Sequence, residues 1–196
     1  MLPSPSPLVH KNDLVTFLNP RSKEYQVVES FENGGVALYD TSEGLLKYEW
    51  VAWTDGDYIY CKRVDQTTHS TLFKAENITE IDFTFDQNMR PCFTFVINNI
   101  CKIYWYNTLI ANFEVTDLYG IKNPRVSLDD KRTFNVANSD IILAYINSEN
   151  NLCGRYQRER FTIEHQLSQL DGATSLVKIG MDDKNRFSFK LRKFER

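Results

Sequence analysis

The chain of 196 residues has 23 Lys and Arg against 26 Asp and Glu, a net charge of -3 with a pI near 5.7, so no overall basic field argues for nucleic acid as a partner. Its 42% hydrophobic and 25% charged residues are globular values, and the length suits one domain or two small ones with a sizeable core. No apolar run is long enough to cross a bilayer, and the amino terminus lacks the basic-then-apolar layout of a leader, so the expectation is a soluble chain without membrane insertion.

The 13 Phe, 10 Tyr and 3 Trp, set beside many Thr, Val and Ile, favour pleated structure over helix. Residues 1–7, MLPSPSP, alternate Pro with small residues and predict an extended arm, either a loose end or a docking segment; residues 8–196 are read as a single all-β domain. From Leu8 to Lys47 come short apolar patches, and Asn33-Gly34-Gly35 between YQVVESF and VALYD predicts a hairpin. Asp55-Gly56 predicts a second, between EWVAWT and YIYCKRV.

Residues 78–107 predict a three-stranded meander. Ile81, Phe83 and Phe85 fall on one face, with Asp82 and Thr84 on the other; a turn at 87–91 leads to CFTFVI, and Asn98-Asn99 turns the chain into a third strand carrying Tyr104, Trp105 and Tyr106. Residues 109–124 read as looser, broken at Tyr119-Gly120 and Asn123-Pro124. A strand from Arg125 then runs into the charged turn at Asp129. Residues 140–145 and 152–157 form a pair across the polar turn 147–151, and 161–167 fit either a strand or a helical turn. SLVKIGM, DDKNR and FSFKLRKF close the chain as a hairpin.

Three stretches repeat a device: IDFTFDQNMRPCFTF, PRVSLDDKRTFNV and VKIGMDDKNRFSFKL. In each an alternating strand ends at an Asp, a short polar turn carries an Arg, and a second strand follows. The pairs are Asp86 with Arg90, Asp129 with Arg132, and Asp182 with Arg186. The spacing of the Asp residues, about 40 to 55 positions, is that of propeller blades or stacked sheet modules, so the expected fold is repeated antiparallel meanders, propeller-like or an incomplete β-propeller. An Asp at a strand end caps its own turn and Arg reaches back to it, a structural role. A calcium site is disfavoured, because a hard cation takes roughly six to eight oxygens.

Cys61, Cys92, Cys101 and Cys153 are scattered and read as buried reduced thiols, although Cys92 and Cys101 fall on neighbouring strands and could face each other. His10, His69 and His165 are solitary, so neither a metal nor another cofactor is expected. No nucleotide, metalloprotease or serine-hydrolase motif is present, and adjacent carboxylates such as Asp129-Asp130 point apart on a strand end, so an enzyme is unsupported. Two surfaces suggest binding: the consecutive rings Tyr104, Trp105 and Tyr106, and the cluster Arg155, Arg158 and Arg160.

The strand Asp140 to Ile146, of form D-[IV]-[IV]-L-[AT]-Y-[IV], is followed after a short turn by L-x-x-R-x-Q-R-[DE]-R-[FY] at Leu152 to Phe161, all behind the D-D-K-R turn Asp129 to Arg132. This segment, with FTFDQNMRP upstream, resembles structural proteins of tailed-bacteriophage virions. The resemblance spans about the last 120 residues and none of 1–47, and Cys153-Gly154 stands where an aromatic pair would follow the turn. It implies a structural subunit of a phage tail, made in the host cytoplasm and placed in the virion. Its partners would be other tail proteins, with a homo-oligomeric ring or sleeve, and it brings no catalytic residues. The alternative is a host-attachment module holding cell-surface glycan on its rings and Asp/Arg turns; a glycan-cleaving enzyme on the same scaffold is weaker still.

Overall fold

A computed structural model describes residues 34–41, 44–63, 66–86, 90–128, 140–172, 174–181 and 187–193. The residues 1–7 read as an arm, and the YQVVESF patch, lie outside these. The described residues are all-β, with one 3-10 turn at Gln157–Glu159 and no α-helix, hence no helix long and apolar enough to cross a membrane.

Among the described residues fourteen strands form four antiparallel sheets in strict chain order. Module 1 comprises β1 (Gly34–Thr41), β2 (Gly44–Thr54), β3 (Tyr58–Arg63) and β4 (Ser70–Lys74). Module 2 has β5 (Ile78–Phe85), β6 (Pro91–Ile97), β7 (Ile100–Asn107) and β8 (Asn112–Leu118). Module 3 has β9 (Lys122–Leu128), β10 (Ile141–Ile146), β11 (Asn151–Tyr156) and β12 (His165–Gln169). Module 4 is the hairpin β13 (Thr174–Met181) and β14 (Phe187–Lys193).

Local chemistry sets the turns. Asn98 and Asn99 both take positive φ, 50° and 63°, while Ile97 faces Ile100, which is the two-residue hairpin that Asn tolerates best. At the β2–β3 turn Gly56 sits at φ 102°, and Asp55 Oδ1 accepts the N–H groups of Asp57 and Tyr58. Asn147 Oδ1 likewise accepts the N–H groups of Glu149 and Asn151 in the β10–β11 turn.

Several sequence expectations need correcting. Gly34 and Gly35 lie inside β1, opposite Val51 and Trp50, rather than in a turn; VALYD pairs with the strand that follows it, and its expected pairing with YQVVESF lies outside the described residues. The stretch read as loose contains β8, and β9 begins before Asn123-Pro124. Between 161 and 169 the strand occupies only the second half, and the turn lies upstream of it. Cys92 and Cys101 do not face each other: Cys92 is opposite Thr84 and Cys101 opposite Val96.

The sheets stack face to face. Phe83, Phe85, Phe93 and Phe95 of module 2 pack on Ala52, Ile59 and Cys61 of module 1. The other face, with Cys92, Ile103, Trp105 and Leu118, packs on Val126, Ile141, Leu143, Tyr145 and Phe161 of module 3. Module 3 then sets Ile142, Ala144, Ile146 and Leu152 against Leu176 and Ile179 of module 4. This explains why β10 is buried along its whole length: residues of both parities meet a neighbouring sheet.

The first strands touch in series, β1 on β5, β5 on β9 and β9 on β13. Polar side chains on these strands bridge the modules. Asp82, buried on β5, accepts the N–H of Val126 on β9 at 2.8 Å, and Arg125 on β9 donates from Nε to the carbonyl of Val177 on β13 at 2.9 Å. A buried polar group must find a partner, and here the partner is the backbone of the next sheet.

Candidate functional site

At one end of the seam between modules 2 and 3, the β5–β6 corner, the β7–β8 turn and the β11–β12 connection surround a cleft of about 290 Å³. Its lining includes Asp86, Arg90, Trp105, Tyr106, Leu109, Asp140, Gln157, Arg158 and Arg160. Residues from the aromatic run, the arginine cluster and one acid–arginine corner therefore meet in one place.

The corner is closed from both sides. Asp86 Oδ1 accepts the Arg90 N–H at 2.9 Å, Asp86 Oδ2 accepts Arg90 Nε at 2.7 Å, and the Asp86 N–H donates to the Arg90 carbonyl at 2.9 Å. The same guanidinium lies 3.9 Å above the Tyr106 ring, a cation–π contact. Asp129, Arg132, Asp182 and Arg186 lie outside the described residues; by position they fall between β9 and β10 and between β13 and β14, where Asp86 and Arg90 fall between β5 and β6.

Strand parity puts Trp105 on one face of β7 and Tyr104 and Tyr106 on the other, where both rings meet Phe113. Tyr104 stacks between Phe93 and Phe113 at 4.6 and 4.9 Å and lines no part of the cleft. Trp105, 2% exposed, meets Phe161 edge-on at 5.4 Å and donates from Nε1 to Thr116 Oγ1. Tyr106 forms a wall, and its carbonyl accepts Gln157 Nε2 at 2.9 Å, a bond between modules.

The arginines also separate. Arg155 sits behind the cleft, where its Nε donates to the Tyr145 hydroxyl at 2.7 Å and Nη1 to the Phe161 carbonyl at 2.9 Å. That hydroxyl in turn donates to Glu164 Oε2 at 2.5 Å. The Tyr145 bond, with those from Asn147 and Cys153 and the charge of Arg155, outweighs burial and holds the Glu164 carboxyl below its ordinary value. Burial, together with the bond to Glu164, pushes the Tyr145 phenol up. Arg158 donates its N–H to Asp140 Oδ2 at 3.0 Å, and its guanidinium stands 4.4 Å over Tyr156. Arg160 is exposed at the rim.

The backbone that carries Arg160 is unusual. Arg160 and Phe161 are both left-handed, at φ 52° and 56°, a conformation that costs about 1–3 kcal/mol per non-glycine residue. It is held because Phe161 is fully buried between the modules and its N–H reaches the Tyr156 carbonyl at 2.9 Å. Leu109 is not singled out by the sequence, and Asp140 and Gln157 enter it only as positions of the resemblance motifs, not as site residues. Asp140 shows a signal only in retrospect, as an acid at a strand start that accepts the next N–H, from Ile141.

Among the described residues no three His, Cys, Asp or Glu side chains come close enough to share a metal. The cleft instead presents three guanidinium groups, two carboxylates and an apolar lip, which suits polar and charged recognition of a polypeptide. A second cavity, about 430 Å³, lies at the opposite end of the same seam beside Glu80, Asn99, Lys122 and Ser148. No protein-family model, curated protein or solved structure matches the chain.

Proposed function

We propose that this protein is a structural component of a bacteriophage tail that assembles with other virion proteins through its sheet surfaces and edges. The observation that carries the reading is the set of outer strands: β4, β8 and β12 each end a sheet, and β12 in particular exposes Gln166, Leu167, Ser168 and Gln169. Such edges present unpaired N–H and C=O groups that invite pairing, and neighbouring subunits that cover them convert a hazard into assembly. The resemblance at 140–161 adds to this, since those residues form β10 and β11, the central strands of module 3.

We also read the four modules as blades of an incomplete propeller. Their first strands touch in series and each sheet leads outward from them, the layout of blades around an axis, with a two-stranded fourth member. On this reading the subunits build a ring or sleeve in the tail, and no catalytic step or cofactor is assigned.

Mass spectrometry of particles purified from an infected or induced culture tests the assignment. The chain is expected as a particle component; its absence from purified virions overturns the reading. The glycan-attachment alternative needs a free aromatic platform, whereas Tyr104 and Trp105 are packed on Phe rings and Tyr106 lies under Arg90. A glycan array probed with the purified chain is expected to be blank.

A further inference from the structure

We propose that the cleft between modules 2 and 3 receives a segment of a partner protein in which a carboxylate side chain stands next to an apolar one. This rests on the assembly reading above and names the surface and the chemistry of its occupant.

Two of the three arginines in the cleft are neutralised internally, Arg90 by Asp86 and Arg158 by Asp140. The Arg160 guanidinium is exposed at the rim and meets no carboxylate and no carbonyl among the described residues. Its position is fixed. The left-handed pair Arg160-Phe161 is anchored by burial of the Phe161 ring and by bonds to both its N–H and its carbonyl, so the backbone under Arg160 is braced against the core. A strained, braced backbone that presents an exposed cation is a feature of recognition sites more than of idle loops.

Leu109 shares this cleft and Ile110 follows it in the chain, 75% and 58% exposed in the β7–β8 turn, where turn chemistry ordinarily places polar residues. A cation beside an apolar lip makes a two-point match: a carboxylate to Arg160, with its apolar neighbour laid over Leu109. Neutral sugars leave the cation without a counter-charge, and a phosphate backbone leaves the apolar lip without a partner.

Fluorescence anisotropy with three labelled peptides of equal length tests the match, using alternating Glu and Leu, alternating Lys and Leu, and alternating Glu and Ser. Each is titrated into the full chain and into Arg160→Glu, Arg160→Gln and Leu109→Ser, variants at exposed positions whose folding is checked by circular dichroism. The Glu–Leu peptide is expected to bind the wild type at least about tenfold more tightly than the other two, with Arg160→Glu and Leu109→Ser each weakening it about tenfold and Arg160→Gln less. Added salt should weaken the Glu–Leu complex. No saturable binding of that peptide, or binding indifferent to Arg160→Glu, overturns the proposal. So does a wild-type oligomer, seen by light scattering, that Leu109→Ser dissolves, because the occupant is then a second copy of this chain. A chain found in purified particles whose cleft ignores the peptide sinks this inference alone; peptide binding by a chain absent from particles sinks the tail assignment alone.

Discussion

Asp82 illustrates how single side chains hold the modules together. Its carboxylate faces away from the Phe83 and Phe85 rings and accepts the N–H of Val126, so one residue satisfies a backbone donor buried in another sheet. Asp82→Ala should leave that donor without its acceptor and destabilise the fold by about 1–3 kcal/mol, read as a lower urea midpoint with an unchanged slope; an unaltered midpoint would mean water replaces the carboxylate. The thiols make a second case. Burial raises Cys61 and Cys153 to about 11 and Cys101 to about 12, and it pushes Cys92 well above the ordinary thiol range. Thiolate is the reactive form, so none of the four should react with a disulfide reagent at pH 8 while the chain is folded, and all four should react in denaturant. Prompt labelling of native protein would contradict the packing described for them. Gly154 follows the same logic of space: a Cβ there would meet Ile142 Cδ1 at 3.0 Å and Leu167 Cδ1 at 3.2 Å, so both side chains would have to give by a few tenths of an ångström to admit a larger residue.

Among the elements, the connection from β11 to β12 is held in part by charge. Arg155, Tyr145 and Glu164 pin it from beneath, and the Tyr145 hydroxyl chiefly keeps the Glu164 carboxyl below its ordinary value. A carboxylate lowered in the folded state contributes stability that is whole above its unfolded value and is lost as pH falls through the folded one. Wild-type protein should therefore lose stability relative to Glu164→Gln as pH drops from about 5 to about 3. Unfolding midpoints measured across that window check this, and parallel curves for the two proteins would remove Glu164 from the account. Other strands were legible in the sequence, since β5, β6, β7 and β10 carry dense apolar or aromatic runs and Asn98-Asn99 marks its turn. β8 was not, because as an outer strand it mixes Glu114, Thr116 and Asp117 among its apolar residues and buries only Leu118 fully. The cleft was legible only in pieces. Sequence reading finds the rings and the arginines, but the meeting of Tyr106 with Gln157 and Arg158 follows from how two sheets stack, and local pattern does not encode that.

At the scale of the whole molecule, the three larger cores are each shared between two sheets, while the smaller cluster of Trp53, Tyr58 and Tyr60 lies within module 1. Module 3 divides its side chains between two neighbours, sending Leu143 and Tyr145 to module 2 and Ile142, Ala144 and Ile146 to module 4. A stack of this kind behaves as a chain of interfaces, each contributing to its neighbours' stability. Ending the polypeptide after Gln169 would uncover Ile142, Ala144, Ile146 and Leu152 together and remove the Arg125 bond to the Val177 carbonyl. A newly exposed apolar sheet face of that kind drives association or partial unfolding. The truncated chain should bind a hydrophobic dye, elute as aggregate and lose the cooperative unfolding of the full chain, whereas the same truncation carrying Ile142→Thr and Ile146→Thr should recover solubility without recovering stability. If the shortened chain instead stays monomeric with the same urea midpoint, module 4 is an appendage and the serial packing of first strands does not extend to it.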